Sequence, residues 1–101
     1  MDGFDGSTAT DPPATARTME ICNRRGLHAR AAAKFVRLVK SFDATITVSL
    51  NGLDVGGDSI MGLMVLAATQ GTQITVAAEG PQAAAALDAL NALVARKFDE
   101  D

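Results

Sequence analysis

The sequence contains a single histidine, His28, set in the run Asn23-Arg24-Arg25-Gly26-Leu27-His28-Ala29-Arg30 just before a stretch with helical spacing. A neutral imidazole keeps a lone pair on one ring nitrogen and is a nucleophile near neutral pH, because its ordinary pKa is ~6.5. The start of a helix presents unpaired N–H groups and a partial positive charge, so an anion is stabilised there. A phosphoryl group accepted by His28 would meet those amides. Arg30 offers planar N–H donors suited to phosphate oxygens. Arg24 and Arg25 add positive charge, and Gly26 permits close backbone approach or a positive φ. On these residues alone, a surface histidine among solvated arginines is an equally good reading.

Ser59 is the second candidate. A serine before an apolar run is ordinarily a helix cap, contributing about 1 kcal/mol. The functional alternative is a regulatory phosphorylation site, since added negative charge is tolerated at a helix start. Ile60, Met61, Leu63 and Met64 follow. They cover more than one helical face, so some of them face outward. They are either core residues or a compact apolar docking patch, in which Met supplies adaptability.

Other chemistries lack their residues. One His, one Cys and scattered acids have no metal-ligand spacing, so neither metal nor cofactor is expected. The lone Cys22 excludes an internal disulfide and reads as a small buried hydrophobe. No G-x-S-x-G elbow occurs, and Gly56-Gly57 is not followed by the Gly-Lys-Ser/Thr of a phosphate-binding loop. A hydrolase with His28 as base finds no evident carboxylate to orient the ring.

The elements that must position these residues follow from periodicity. Thr18–Cys22 alternates and predicts a strand. From His28 to Lys40, the apolar Ala32, Phe35, Val36 and Val39 share one helical face. Ile46, Val48 and Leu50 alternate with hydroxyl residues over Thr45–Leu50, a half-buried strand. Asn51-Gly52 is a strong hairpin signal, because both residues tolerate positive φ. A short return strand near Leu53–Val55 and a short helix from Ile60 to Ala67 come next. Gln73–Ala78 predicts the last strand. Residues 82–97 form a helix with Ala83, Leu87, Leu90 and Val94 in one stripe and Phe98 a turn beyond. The order β-α-β-β-α-β-α predicts an α+β fold, an antiparallel four-stranded sheet with three helices on one face.

The chain has 101 residues, 48% of them apolar, enough for one compact domain. Residues 1–14 are rich in Gly, Ser, Thr, Asp and Pro and read as a disordered tail ahead of a domain over 15–101. The net charge is −3 and aromatics are 4%, with no Trp or Tyr, so a nucleic-acid partner is not expected. No run reaches the ~20 apolar residues of a membrane span, and no signal-peptide pattern opens the sequence. A cytoplasmic monomer is the expectation.

The segment Asn23–Val36 closely resembles the active-site segment of HPr, the histidine phosphocarrier of the bacterial phosphoenolpyruvate-dependent phosphotransferase system. Asp58-Ser59-Ile60-Met61-Gly62-Leu63-Met64 resembles that family's regulatory-serine segment, and Gln70–Val76 with Glu79-Gly80 is similar to the strand that follows it. The similarity runs from about residue 17 to 98. The ending Phe98-Asp99-Glu100-Asp101 and the turn Gly80-Pro81-Gln82 look like the nitrogen-related paralogue. The resemblance implies an open-faced sandwich and a carrier rather than an enzyme. It implies that His28 Nδ1 receives phosphate from an enzyme I-type protein and passes it to an EIIA-type protein. Arg30 matches the phosphate-binding arginine. Ser59 matches the serine modified by HPr kinase/phosphorylase where that enzyme exists. Arg25, Ile60, Met61 and Met64 match the partner surface. One departure is Ala31, where the family usually has Pro. Proline suits a first helical turn, whereas Ala31 keeps helix propensity and adds an N–H donor.

Overall fold

The computed structural model describes residues 15–100, so the expectation for the 1–14 segment lies outside the described residues. Strands β1 (Thr15–Glu20), β2 (Thr45–Leu50), β3 (Leu53–Gly56) and β4 (Gln73–Glu79) form one antiparallel sheet in the order β1-β4-β2-β3. Helices α1 (Ala29–Lys40), α2 (Ile60–Leu66) and α3 (Ala83–Ala95) complete the expected order. A short helical turn, Lys97–Asp99, follows α3.

Alternation decides which face of the sheet is buried. Ile46 and Val48 pair with Ala78 and Val76, and Met19 with Ile74, and all six are buried. The hydroxyl-bearing positions between them face the other way, which leaves one side of the sheet open. Helix α3 lies across β1 and β4, α2 lies against β2 and β3, and α1 packs on α2 and α3. The expected stripes are the buried ones: Ala32, Phe35, Val36 and Val39 in α1, and Ala83, Leu87, Leu90 and Val94 in α3. Asn51 and Gly52 both take positive φ, 52° and 84°, as the tight β2–β3 hairpin requires.

Boundaries differ where local signals were weak. The first strand is Thr15–Glu20 rather than Thr18–Cys22. Cys22 belongs to the loop beyond it and is half-buried, its Sγ 3.2 Å from the carbonyl of Val94. His28 is not in α1 but is its N-cap, with an extended backbone. After α3 the chain takes three successive left-handed residues, Lys97, Phe98 and Asp99 (φ 61°, 55° and 62°). Such a turn costs roughly 1–2 kcal/mol per non-glycine residue. The Phe98 ring, fully buried in the core, offsets that cost. The result is to return the chain end of the domain to the start of α1.

Candidate functional site

The loop 21–28 that carries His28 is braced by the loop that leaves α2. Ile21 N–H donates to Thr72 O at 2.8 Å, Gly71 N–H to Ile21 O at 2.7 Å, and Leu27 N–H to Ala68 O at 2.9 Å. Ala67 takes a left-handed conformation (φ 54°) at the end of α2, which reverses the chain and brings Ala68 back towards Leu27. Gly26 explains why its position takes no larger residue. Its φ is +70°, and a Cβ there would lie 2.5 Å from Ala68 O. The His28 loop therefore rests on backbone contacts spanning the domain.

His28 caps α1 without a side-chain capping bond, and the first turn of α1 holds no acidic residue. The N–H groups that open this helix are left for another acceptor. The imidazole is instead held by Glu100: Nε2 lies 2.8 Å from Oε1, with the two side chains 15% and 21% exposed. A carboxylate only accepts, so Nε2 carries the hydrogen and the lone pair stays on Nδ1. Glu100 Oε2 accepts a second bond, from Asn23 Nδ2, at 2.9 Å. Asn23 is completely buried, and its Nδ2 also donates to Gly26 O at 2.8 Å. The Asn23 bond above all, together with the His28 contact and the charge of Arg25, holds the Glu100 carboxyl below its ordinary range, against the partial burial that raises it. The reading that His28 has no carboxylate to orient it is thus corrected. Glu100 is that group, brought 72 positions along the chain by the left-handed turn.

The structure brings the three arginines together as well. Arg24, Arg25 and Arg30, with Glu100, line a shallow cavity of about 240 Å³. Each arginine is solvent-exposed, and the cavity they line with Glu100 adjoins His28 through the Glu100 carboxylate. Ala31, at the position where proline was the expected residue, is buried in the first turn.

Ser59 is the N-cap of α2, and its hydroxyl accepts from Gly62 N–H at 3.0 Å. The apolar cluster divides. Leu63 is fully buried, whereas Ile60, Met61 and Met64 are 39%, 72% and 41% exposed, with Val65 beside them at 63%. These four side chains are thus outside the core and form an exposed apolar patch on a short helix. Among the described residues, no group of three or more His, Cys, Asp or Glu side chains is placed to hold a metal ion. Among them, too, no helix is long and apolar enough to cross a membrane.

Asn23 and Glu100 are the site residues that sequence reasoning missed. Asn23 stood inside the conspicuous motif and read only as a polar break. Glu100 had no local signal, because its role depends on a turn made of non-glycine residues in a conformation that glycine ordinarily takes.

Comparison with known proteins identifies relatives of this chain. Residues 15–96 match the family described as the PTS HPr component phosphorylation site. The phosphocarrier protein HPr of Cupriavidus necator is 45% identical over 84 residues, covering 83% of this chain and 94% of that protein. The phosphocarrier protein NPr of Shewanella violacea is 46% identical over 84 residues, covering 83% of this chain and 92% of that protein. The crystal structure of HPr from Thermoanaerobacter tengcongensis superposes with a TM-score of 0.83 at 40% identity, covering 86% of this chain and 98% of that one. Proteins of this kind carry a phosphoryl group on histidine and are not enzymes. With the βαββαβα fold, the helix-start histidine and a match over most of its length, this chain belongs to the HPr family of phosphocarriers of the phosphotransferase system.

Proposed function

We propose that His28 Nδ1 accepts a phosphoryl group from an enzyme I-type protein charged by phosphoenolpyruvate and donates it to an EIIA-type protein. The observation that carries this reading is the division of labour on the ring. Nε2 is occupied by Glu100, Nδ1 keeps its lone pair, and the helix start beside it has no cap of its own. Arg30 and the first-turn N–H groups of α1 hold the phosphate, and Arg24 and Arg25 add positive charge around it. Ile60, Met61 and Met64, with Arg25, form the surface on which donor and acceptor proteins dock in turn. A carrier must leave each partner, so that interface is small and transient. The protein works as a monomer in the cytoplasm.

The branch is the nitrogen-related one, where the carrier's phosphorylation state regulates a partner's activity. The Phe98-Asp99-Glu100-Asp101 ending and the Gly80-Pro81-Gln82 turn support it. Phosphorylation of Ser59, where a kinase for it exists, adds a second control by turning the hydroxyl that caps α2 into a phosphate ester.

The test is phosphorylation by enzyme I and phosphoenolpyruvate. Wild type takes up one acid-labile phosphate and His28→Ala takes up none. Uptake by His28→Ala at the wild-type rate defeats the assignment. Transfer from the phosphorylated chain to nitrogen-type and sugar-type EIIA proteins, side by side, decides the branch.

A further inference from the structure

We propose that Glu100 is a positioning residue for phosphoryl transfer, whose carboxylate keeps the proton on His28 Nε2 through the whole cycle, so that Nδ1 gains and loses phosphate without any proton moving on the ring. The proposal rests on His28 being the phosphoryl acceptor.

Three observations point to it. First, Glu100 uses one oxygen on His28 (2.8 Å) and the other on Asn23 (2.9 Å), so its orientation is fixed at both ends. Second, Asn23 is completely buried, yet its Oδ1 has no hydrogen-bond partner among the described residues while its Nδ2 donates to both Glu100 and Gly26 O. Burying a carbonyl oxygen without a partner is unfavourable. Turning the amide over would set Oδ1 against two acceptors, so the cost is inherent in steering Glu100. Third, the backbone before Glu100 is held in an unfavourable shape from several sides. Phe98 is fully buried, Lys34 Nζ donates to Phe98 O at 2.7 Å, and Arg96 Nε donates to Asp99 at 2.7 Å. Three consecutive left-handed non-glycine residues are maintained there, and they deliver one carboxylate to one imidazole nitrogen.

The chemistry explains why that delivery matters. The Nδ1 lone pair attacks the phosphorus of a phosphorylated donor protein. A P–N bond forms, the bond from phosphorus to the donor breaks, and its electron pair leaves with the donor. The ring, which still carries hydrogen on Nε2, is now cationic, and Glu100 is its counter-charge. In the return step a nucleophile of the acceptor protein forms a bond to phosphorus as the P–N bond breaks, the P–N electron pair goes back to Nδ1, and the ring departs as neutral imidazole because the Nε2 hydrogen never left. Without that hydrogen it would have to depart as imidazolate, a far poorer leaving group. The cations around the cavity, Arg24, Arg25 and Arg30, favour the phosphate but oppose a positive ring. Lys34 is engaged with Phe98 O. Glu100 is the acidic residue that lines this cavity and offsets the cations.

The test uses the full chain as wild type, Glu100→Gln and Glu100→Ala. In unphosphorylated wild type, ¹⁵N chemical shifts should show hydrogen on Nε2 and a bare Nδ1; a dominant Nδ1–H form overturns the proposal without any variant. After charging by enzyme I, both variants should still carry phosphate on His28. The pH profile for release of that phosphate should move down by about one unit in Glu100→Gln, a loss of about tenfold in rate on the alkaline side. Glutamine can still accept the Nε2 hydrogen bond through its one carbonyl oxygen, although it gives up the Asn23 bond, so the change removes the charge while keeping an acceptor at the ring; equal urea-denaturation midpoints at pH 7 confirm that the fold is kept. Identical pH profiles in wild type and Glu100→Gln overturn the Glu100 role and leave His28 as acceptor. Failure of wild type to carry phosphate on His28 overturns both.

Discussion

Helices α1 and α2 both begin after a residue in extended conformation, His28 and Ser59, and they treat their first N–H groups in opposite ways. Ser59 turns its hydroxyl inward and accepts from Gly62 N–H. His28 turns its ring away, to Glu100, and leaves the start of α1 uncapped. The surroundings match the difference. Arg24, Arg25 and Arg30 gather at the α1 start, whereas Ile60, Met61 and Met64 surround the α2 start. One helix start keeps its N–H groups without a side-chain cap and has arginines around it, the arrangement the proposed phosphate site uses. The other is capped as it stands and is bordered by exposed apolar side chains. A helix N-terminus is thus an anion site only when the protein withholds the cap and supplies the charge.

The largest effect should come from releasing the latch at α1. Phe98→Ala removes a fully buried ring and should cost about 3–5 kcal/mol in urea denaturation. It should also free Glu100 from His28 while leaving the Ser59 cap intact. Gly26→Ala comes next, because a Cβ at φ +70° would meet Ala68 O at 2.5 Å. It should cost about 2 kcal/mol and slow phosphate uptake by displacing the His28 loop. Ser59→Ala should cost about 1 kcal/mol and Ser59→Gly only a few tenths, and neither should change uptake at His28. A large loss of uptake in Ser59→Ala would break the contrast between the two helix starts.

The smallest effect is on acid stability. The Glu100 carboxyl is held below its ordinary value of 4.5 by Asn23 and His28 in the folded chain. Its contribution is therefore fully present above that value and fades as pH falls through the lower folded value. Glu100→Gln should lose stability relative to wild type at pH 5–6, by about the amount that disappears as both are taken to acid. Equal acid sensitivity in the two would show that the Glu100 bonds add nothing to the fold.

Much of this molecule is written locally. The alternation of Ile46, Val48 and Leu50, the Asn51-Gly52 turn and the stripe Ala32–Phe35–Val36–Val39 each specify an element, because side-chain period and backbone freedom are properties of neighbouring residues. The motif around His28 likewise placed a candidate nucleophile at a helix start with arginines at hand, a reading that the residues alone left level with a surface histidine. The edges were less legible. The first strand begins earlier than its alternation suggested, because pairing with β4 extends it to Thr15. The apolar run from Ile60 to Met64 could not be divided between core and surface until α2 was set against α1 and β3.

The sequence by itself determined the candidate nucleophile, through the likeness of its motif to a known one, and the kind of element it begins. Only the tertiary structure decided which nitrogen of that residue is free. The choice depends on Glu100, which reaches His28 through a left-handed turn with no glycine in it, and on Asn23, whose burial is imposed by the loop around it. Such contacts carry no periodicity and no local propensity. They exist because a buried phenylalanine ring holds the chain in a conformation that its own residues would not choose.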